Sequence, residues 1–257
     1  RQSPGEWKWG DLGADLILET TGKLKDRASC QQHIDCGAKK VLISAPGKGV
    51  DATIVPGVND NHLKPEHSVI SNASCTTNCL APVVKVLHER FGIEHGVMTT
   101  VHSYTMDQRL LDGSHKDLRR ARSAAMSMVP TSTGAARAVT EVFPDLKGKL
   151  DGMAIRVPPP NVSLVDLSAQ MQRDLSAEEA NAALKEASQN ELKDILGYCE
   201  APLVSVDYNG NSFGGVVDAP LTSLIDNRML KVIAWYDNEA GFTYQLFRLA
   251  KQVSRQI

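Results

Sequence analysis

The chain has 257 residues, 42% hydrophobic and 23% charged, with a formal net charge of −2. That length bounds it to one large domain or two ordinary ones with ample material for a core, and the near-neutral balance gives no electrostatic reason to expect nucleic acid. No apolar run approaches the roughly 20 residues needed to cross a bilayer, and five cysteines at irregular spacing (Cys30, Cys36, Cys75, Cys79, Cys199) suit a reducing compartment such as the cytoplasm better than a disulfide framework.

In chain order, the opening Arg1 and the lack of a charged-then-apolar leader lead us to expect a processed or missing start. Residues 15–20 form a short apolar strand that runs into Thr21-Gly22. A helix follows over about 26–36, with Gly37 as its terminator. Further strands are expected at 41–44, ending in Ala45-Pro46-Gly47, and at 53–55 and 68–70. Strands alternating with a helix predict a mostly parallel sheet, and ligands gather at the carboxyl ends of such strands. Here those ends are Thr21-Gly22, Ser44-Ala45 and Asn72 to Cys75. A helix then carries Leu80, Val83, Val84 and Leu87 on its apolar face. Beyond it come a strand at 96–102 and an arginine-bearing segment, 103–129, with few strand signals. Strands are expected at 152–157, 163–172, 203–208 and 229–236. One helix interrupts them, opened by the capping-box spacing of Ser176 and Glu179. A closing helix over 240–257 presents Phe242, Leu246, Leu249 and Val253. Strand runs with separate helices predict a second, α+β domain.

The richest chemistry lies in Ser71-Asn72-Ala73-Ser74-Cys75-Thr76-Thr77-Asn78-Cys79. It places a thiol where a strand hands over to a helix. The positive end of a helix favours thiolate, the nucleophilic form, although most free cysteines are buried small hydrophobes. His102 ends its own strand, and two strand ends can bring thiol and imidazole together. Cys75, Cys79 and His102 also fit a zinc site loosely, with no obvious fourth ligand. Arg109, Lys116, Arg119, Arg120 and Arg122 would ordinarily be a solvated face. Followed by Thr131-Ser132-Thr133-Gly134 and Arg156, they offer guanidinium, hydroxyl and amide groups for an anion. No Gly-x-Gly-x-x-Gly occurs, so the turn of a complete dinucleotide fold is not in these residues.

Ala73-Ser74-Cys75-Thr76-Thr77-Asn78 and Cys79-Leu80-Ala81-Pro82 resemble the signature of the phosphorylating glyceraldehyde-3-phosphate dehydrogenase family. So do Thr99 to Thr105, Asp107-Gln108-Arg109, Asp117 to Arg122, Pro130 to Ala136, Arg156-Val157-Pro158, Asn161-Val162-Ser163 and Trp235 to Glu239. The resemblance implies an α/β chain: a partial Rossmann-type doubly wound parallel sheet plus an α+β catalytic domain with a mixed or antiparallel sheet. The implied spans are 1–74 for the rest of an NAD(P)-binding domain, 75–239 for the catalytic domain, and 240–257 for a helix packing back on the cofactor domain. Cys75 resembles the nucleophile and His102 the base. Ser74, Thr76, Thr105, Arg120, Thr133, Gly134 and Arg156 match positions that bind substrate and phosphate. Thr21, Gly22, Ser44 and Asn238 match positions near NAD or NADP. No metal is implied. Glyceraldehyde 3-phosphate and inorganic phosphate are the implied substrates, in a homotetramer that needs neither membrane nor nucleic acid, in the cytoplasm or a plastid. An erythrose-4-phosphate dehydrogenase and a non-catalytic binding or assembly relative are the competing readings. Two departures stand out: Glu239-Ala240-Gly241-Phe242 replaces a more aromatic run, and Leu24 stands where an aromatic is common.

Overall fold

The structure, a computed structural model, describes residues 3–257. The chain divides into two compact units. The residues up to Ser74, joined by Gln245–Ile257, form one, and Cys75–Tyr244 form the other.

The first unit holds β1 (Leu16–Glu19), α1 (Arg27–Asp35), β2 (Lys40–Ile43), β3 (Ala52–Thr53) and β4 (Val69–Ser71). The four strands are all parallel, in the order β1-β2-β4-β3. Every residue of β2 is buried, as an unbroken apolar strand covered on both faces requires. One face sets Leu42, Ile54, Leu63 and Ile70 against Leu246, Leu249 and Val253. Those last three come from the final helix, α5 (Ala240–Ser254). The other face sets Val41, Ile43 and Val69 against Cys30 of α1, with Leu24 and Ile34 at its edge. Leu24 thus serves as a packing residue. Asp26 and Ser29 cap α1 reciprocally, which fixes where the chain turns after the Thr21–Gly22 bend. Lys40 opens β2 in a buried position and is satisfied by the carbonyls of Pro65 and His67, both at 2.6 Å.

The second unit is built on α2 (Cys75–Phe91), β5 (Ile93–Ser103), β6 (Val129–Ser132), α3 (Ala135–Val142), β7 (Leu150–Val157), β8 (Ser163–Met171), α4 (Ala177–Gln189), β9 (Leu196–Cys199), β10 (Gly215–Asp218), β11 (Ser223–Ile225) and β12 (Met229–Tyr236). Eight strands form one mixed sheet, β6-β7-β5-β8-β12-β10-β9, with β11 paired to β12. Strict alternation in β8 buries Ser163, Val165, Leu167, Ala169 and Met171. The matching parity of β5 buries Met98, Thr100 and His102, and that of β12 buries Leu230, Val232, Ala234 and Tyr236. Helix α2 is buried from Thr76 to Val84 and packs with α3, α4 and the sheet, so it is a core helix.

One expected strand is absent. Residues 203–208 alternate in sequence, yet Ser205–Tyr208 form a 3₁₀ turn. Asp207 accepts the Val204 amide at 2.8 Å, and Val204 and Val206 are exposed, so no partner rewards an extended conformation. Between β5 and β6, residues 104–128 hold no regular strand or helix. They are folded back on themselves by backbone bonds from Arg109 to Arg120 and from Ala124 to Arg109. Among the described residues, no helix is long and apolar enough to cross a membrane.

Candidate active site

Cys75 is the first residue of α2, and His102 the penultimate residue of β5. Their Sγ and Nε2 atoms stand 3.5 Å apart. Parallel pairing of β5 with β7 sets Arg156 beside His102. Arg156 Nη1 lies 2.9 Å from His102 Nδ1 and donates to the Ser103 carbonyl at 3.0 Å. His102 Nδ1 is 2.7 Å from that same carbonyl. Nδ1 thus sits between a donor, Arg156 Nη1, and an acceptor, the Ser103 carbonyl, and the ring turns Nε2 to the thiol.

The electrostatics of the pair are set by burial. His102 is pushed down to about 3, first by desolvation and then by the charge of Arg156, with Arg120 adding to it and the Ser103 carbonyl opposing. The ring is therefore neutral at physiological pH. The Cys75 thiol is pushed up, because burial outweighs the pull of the Arg156 charge and the hydrogen bonds at Thr76. Burial and the helix end therefore act on this thiol in opposite senses, with burial the larger of the causes that shift it. Thiol and imidazole face each other directly, within proton-transfer reach. Although close-packed, the Cys75 residue retains partial solvent contact.

Further residues hold this geometry. The Tyr236 hydroxyl lies 2.9 Å from Thr76 Oγ1 and 2.8 Å from Thr100 Oγ1, and the ring meets the His102 ring edge-on at 5.8 Å between centroids. One buried phenol thus ties the first turn of α2 to the strand that carries the imidazole. Tyr236 lies in the Trp235 to Glu239 run of the family resemblance, which implies no role for it. Its inward parity on β12 was the available signal, because a buried tyrosine hydroxyl must find partners. Ser103 donates through Oγ to Val162 O at 2.6 Å, and its amide donates to Ser163 Oγ at 3.1 Å. Ser163 Oγ in turn bonds Asn238 Oδ1 at 2.8 Å. Val162 is held at φ +66°, a strained conformation for a branched side chain, costing on the order of 1–3 kcal/mol. Gly215 of β10 lies against α2. A methyl added there would come within 2.8 Å of Cys79 Sγ.

The other expected residues fall as follows. Thr76 is buried with its hydroxyl on Tyr236. Arg120 is three-quarters or more shielded and bonds Thr131, Asp107 and the Ser132 carbonyl. Arg109, Arg119 and Arg122 stay at the surface. Thr133 is half-buried, accepts the Ala135 amide at 3.2 Å and precedes Gly134, the residue before α3. Thr105 is half-buried, with its amide on Gln108 Oε1. Ser74 is half-buried ahead of Cys75, and Ala73 before it adopts φ +57°. Arg156 Nε is buried and meets no acceptor among the described residues. A guanidinium edge turned inward without a partner suits an incoming anion. Asn238 is buried on Ser163, while Thr21, Gly22 and Ser44 sit at the ends of β1 and β2. Cys79 turns away from Cys75 and His102, its sulfur 3.8 Å from the Ala234 carbonyl. Among the described residues no trio of His, Cys, Asp or Glu is placed to hold a metal ion, which leaves the zinc reading without a site.

Residues 74–238 match the family described as glyceraldehyde 3-phosphate dehydrogenase, C-terminal domain. This chain belongs to the glyceraldehyde-3-phosphate dehydrogenase family. It is 57% identical over 254 residues to a glyceraldehyde-3-phosphate dehydrogenase of Geobacillus stearothermophilus, covering 98% of this chain and 76% of that protein. It is 55% identical to glyceraldehyde-3-phosphate dehydrogenase 1 of Bacillus subtilis, covering 99% and 76%. The chloroplastic glyceraldehyde-3-phosphate dehydrogenase A of Zea mays is also 55% identical, with 99% of this chain and 63% of that protein covered. The family's oxidoreductase character agrees with the thiol–imidazole geometry. The mixed α/β architecture likewise agrees with a partial Rossmann sheet and the family's catalytic domain.

Proposed function

We propose that this chain performs the phosphorylating oxidation of D-glyceraldehyde 3-phosphate to 1,3-bisphosphoglycerate with NAD or NADP. One observation carries the reading: Cys75 Sγ 3.5 Å from Nε2 of a neutral His102, beside Arg156, whose Nε meets no acceptor among the described residues.

Residues 1–74 act in this reading as the later part of a dinucleotide-binding domain. Thr21, Gly22 and Ser44 at the strand ends would hold the cofactor, with Asn238 at a matching family position. The strand-end turn fits such a group, because Gly22 has φ +70° and a side chain added there would meet nothing within 4 Å. When bound, the nicotinamide supplies the hydride acceptor. The chain's own residues do the rest. His102 Nε2 takes the thiol proton as Sγ bonds to the aldehyde carbon, and returns it to the carbonyl oxygen, giving a thiohemiacetal on Cys75. The same nitrogen removes that hydroxyl proton as the carbon is oxidised to a thioester. A phosphate oxygen then attacks the thioester carbon, the C–S bond breaks, and the proton on His102 returns to sulfur. Arg156 and Arg120, with Thr105, Thr133, Gly134, Ser74 and Thr76, orient the two phosphate groups, so that phosphate meets the thioester ahead of water.

The exposed Met106, Leu110, Leu111, Leu118, Met126 and Met128 of segment 103–129 support assembly with further copies, in our reading a homotetramer.

The test is steady-state reduction of NAD and of NADP by the protein at its natural full length, with glyceraldehyde 3-phosphate, with and without inorganic phosphate. Phosphate-dependent turnover that is lost in Cys75→Ser is expected. A preference for erythrose 4-phosphate would transfer the reading to the sister activity, and no turnover with either aldehyde would end it.

A further inference from the structure

A second buried imidazole lies in the first unit, away from the chemistry described above. His33 on α1 is 3% exposed and Glu19, the last residue of β1, 4%. Glu19 Oε2 lies 3.2 Å from His33 Nε2. Trp9 Nε1 lies 3.2 Å from His33 Nδ1. An indole nitrogen only donates, so His33 Nδ1 must accept, which puts the ring proton on Nε2 and aims it at the carboxylate. Trp7 stacks on the same ring at 4.2 Å between centroids, 11° from parallel. The imidazole is thus fixed in tautomer, direction and plane.

The other carboxylate oxygen, Oε1, accepts both the Thr21 amide, at 2.7 Å, and the Thr21 hydroxyl. The Thr21 oxygen accepts the Lys23 amide at 3.2 Å, across Gly22. The Glu19 carbonyl also accepts the Ser44 amide at 3.0 Å. Glu19 is therefore the common anchor of both strand ends, reaching Thr21 through its side chain and Ser44 through its backbone. Burying a carboxylate costs several kcal/mol unless it is fully satisfied. An apolar residue would fill the space under the sheet at no such cost. What the acid adds is a fixed position for the turn after β1.

We propose that the Trp9–His33–Glu19 chain is a positioning device for the dinucleotide, locking the Thr21–Gly22 turn and the Ser44 strand end in the form that receives it. This rests on the function proposed above. None of the three side chains acts on substrate. Their contribution is to keep the turn from relaxing, so that binding does not have to order it.

The test compares Glu19→Gln, His33→Leu, His33→Gln and Trp9→Phe with the parent protein at its natural full length. The dissociation constants for NAD and NADP are measured by equilibrium titration, alongside the KM for the aldehyde and the rate of Cys75 alkylation. Loss of a buried charge-assisted bond is expected to weaken dinucleotide binding about tenfold in Glu19→Gln and His33→Leu. Aldehyde KM and alkylation should hold. His33→Gln can still donate to Glu19 and accept from Trp9, so it should recover most of the affinity. Trp9→Phe keeps the stacked ring and removes only the N–H donor, so it should lose a few-fold, and it remains informative if Glu19→Gln does not fold. Unchanged dinucleotide affinity in the variants would overturn the proposal. So would a loss shared equally by aldehyde KM and alkylation, which marks general damage. A parent protein that binds neither dinucleotide would instead remove the functional reading itself.

Discussion

His33 and His102 are equally buried, each 3% exposed, and their neighbours make them opposites. His33 has a partner on each nitrogen, an indole donor on one side and a carboxylate on the other. It has no valence left for a ligand. His102 has its Nδ1 engaged by the Ser103 carbonyl and crowded by a guanidinium, and presents Nε2 to a thiol. Burial alone therefore does not single out the imidazole to which the proposed function gives the role of base. What sets His102 apart is one nitrogen left facing a thiol, in a ring kept neutral first by burial and then by the Arg156 charge.

The contrast can be broken at four points, in falling order of expected effect. Cys75→Ser should lower kcat by at least about 10⁴-fold while the fold is retained, since the hydroxyl is the poorer nucleophile. Near-normal turnover would remove the sulfur from the reaction. His102→Asn should cost about 10²–10⁴-fold, the usual worth of a general base. The same change at His33 should touch dinucleotide affinity first, and equal kinetic profiles for the two variants would erase the distinction. Tyr236→Phe removes the hydroxyl that joins Thr76 to Thr100, and an unpaired buried hydroxyl costs about 1–3 kcal/mol. A drop of roughly tenfold in kcat with a lower melting temperature is expected. A variant as active and as stable as the parent would show that Tyr236 does not set the thiol–imidazole distance.

The fourth point is pH. The folded His102 does not protonate until about 3, whereas an unfolded histidine does so near 6.5. Stability from this group is thus fully present above pH 6.5 and drains away as the pH falls towards 3. The slope approaches about 1.4 kcal/mol per pH unit, because the unfolded state takes up the proton first. Denaturant titrations of the parent and of His102→Asn should converge as pH falls, and parallel curves would refute the neutral ring. The raised Cys75 pKa adds a smaller kinetic expectation: alkylation by iodoacetamide should accelerate steadily above pH 8. A plateau already reached at pH 6 would mean a preformed thiolate.

Much of this was legible in the chain. Apolar strands and a helix ended by Gly37 predicted the parallel sheet of the first unit, and the Ala73 to Asn78 run with His102 pointed to a thiol and an imidazole that stand 3.5 Å apart. Other features were hidden because they depend on neighbours. β9, β10 and β11 are three or four residues long and are held by pairing more than by propensity. Residues 203–208 carry strand-like alternation, but no neighbour accepts them. At Cys75 the dipole argument pointed one way and desolvation the other, and only the packing around the sulfur decides. Of the arginines in the 103–129 run, Arg120 alone turns inward, to Thr131 and Asp107, which charge counting does not reveal.

Gly215 shows how far from the sulfur a lesion can lie and still reach it. Its missing side chain lets β10 run directly beneath α2, one turn from the reactive thiol. A side chain there would press on the sulfur and backbone of Cys79, so β10 and that helix turn could not both keep their places, and the spacing of two elements beside the thiol hangs on one absent methyl.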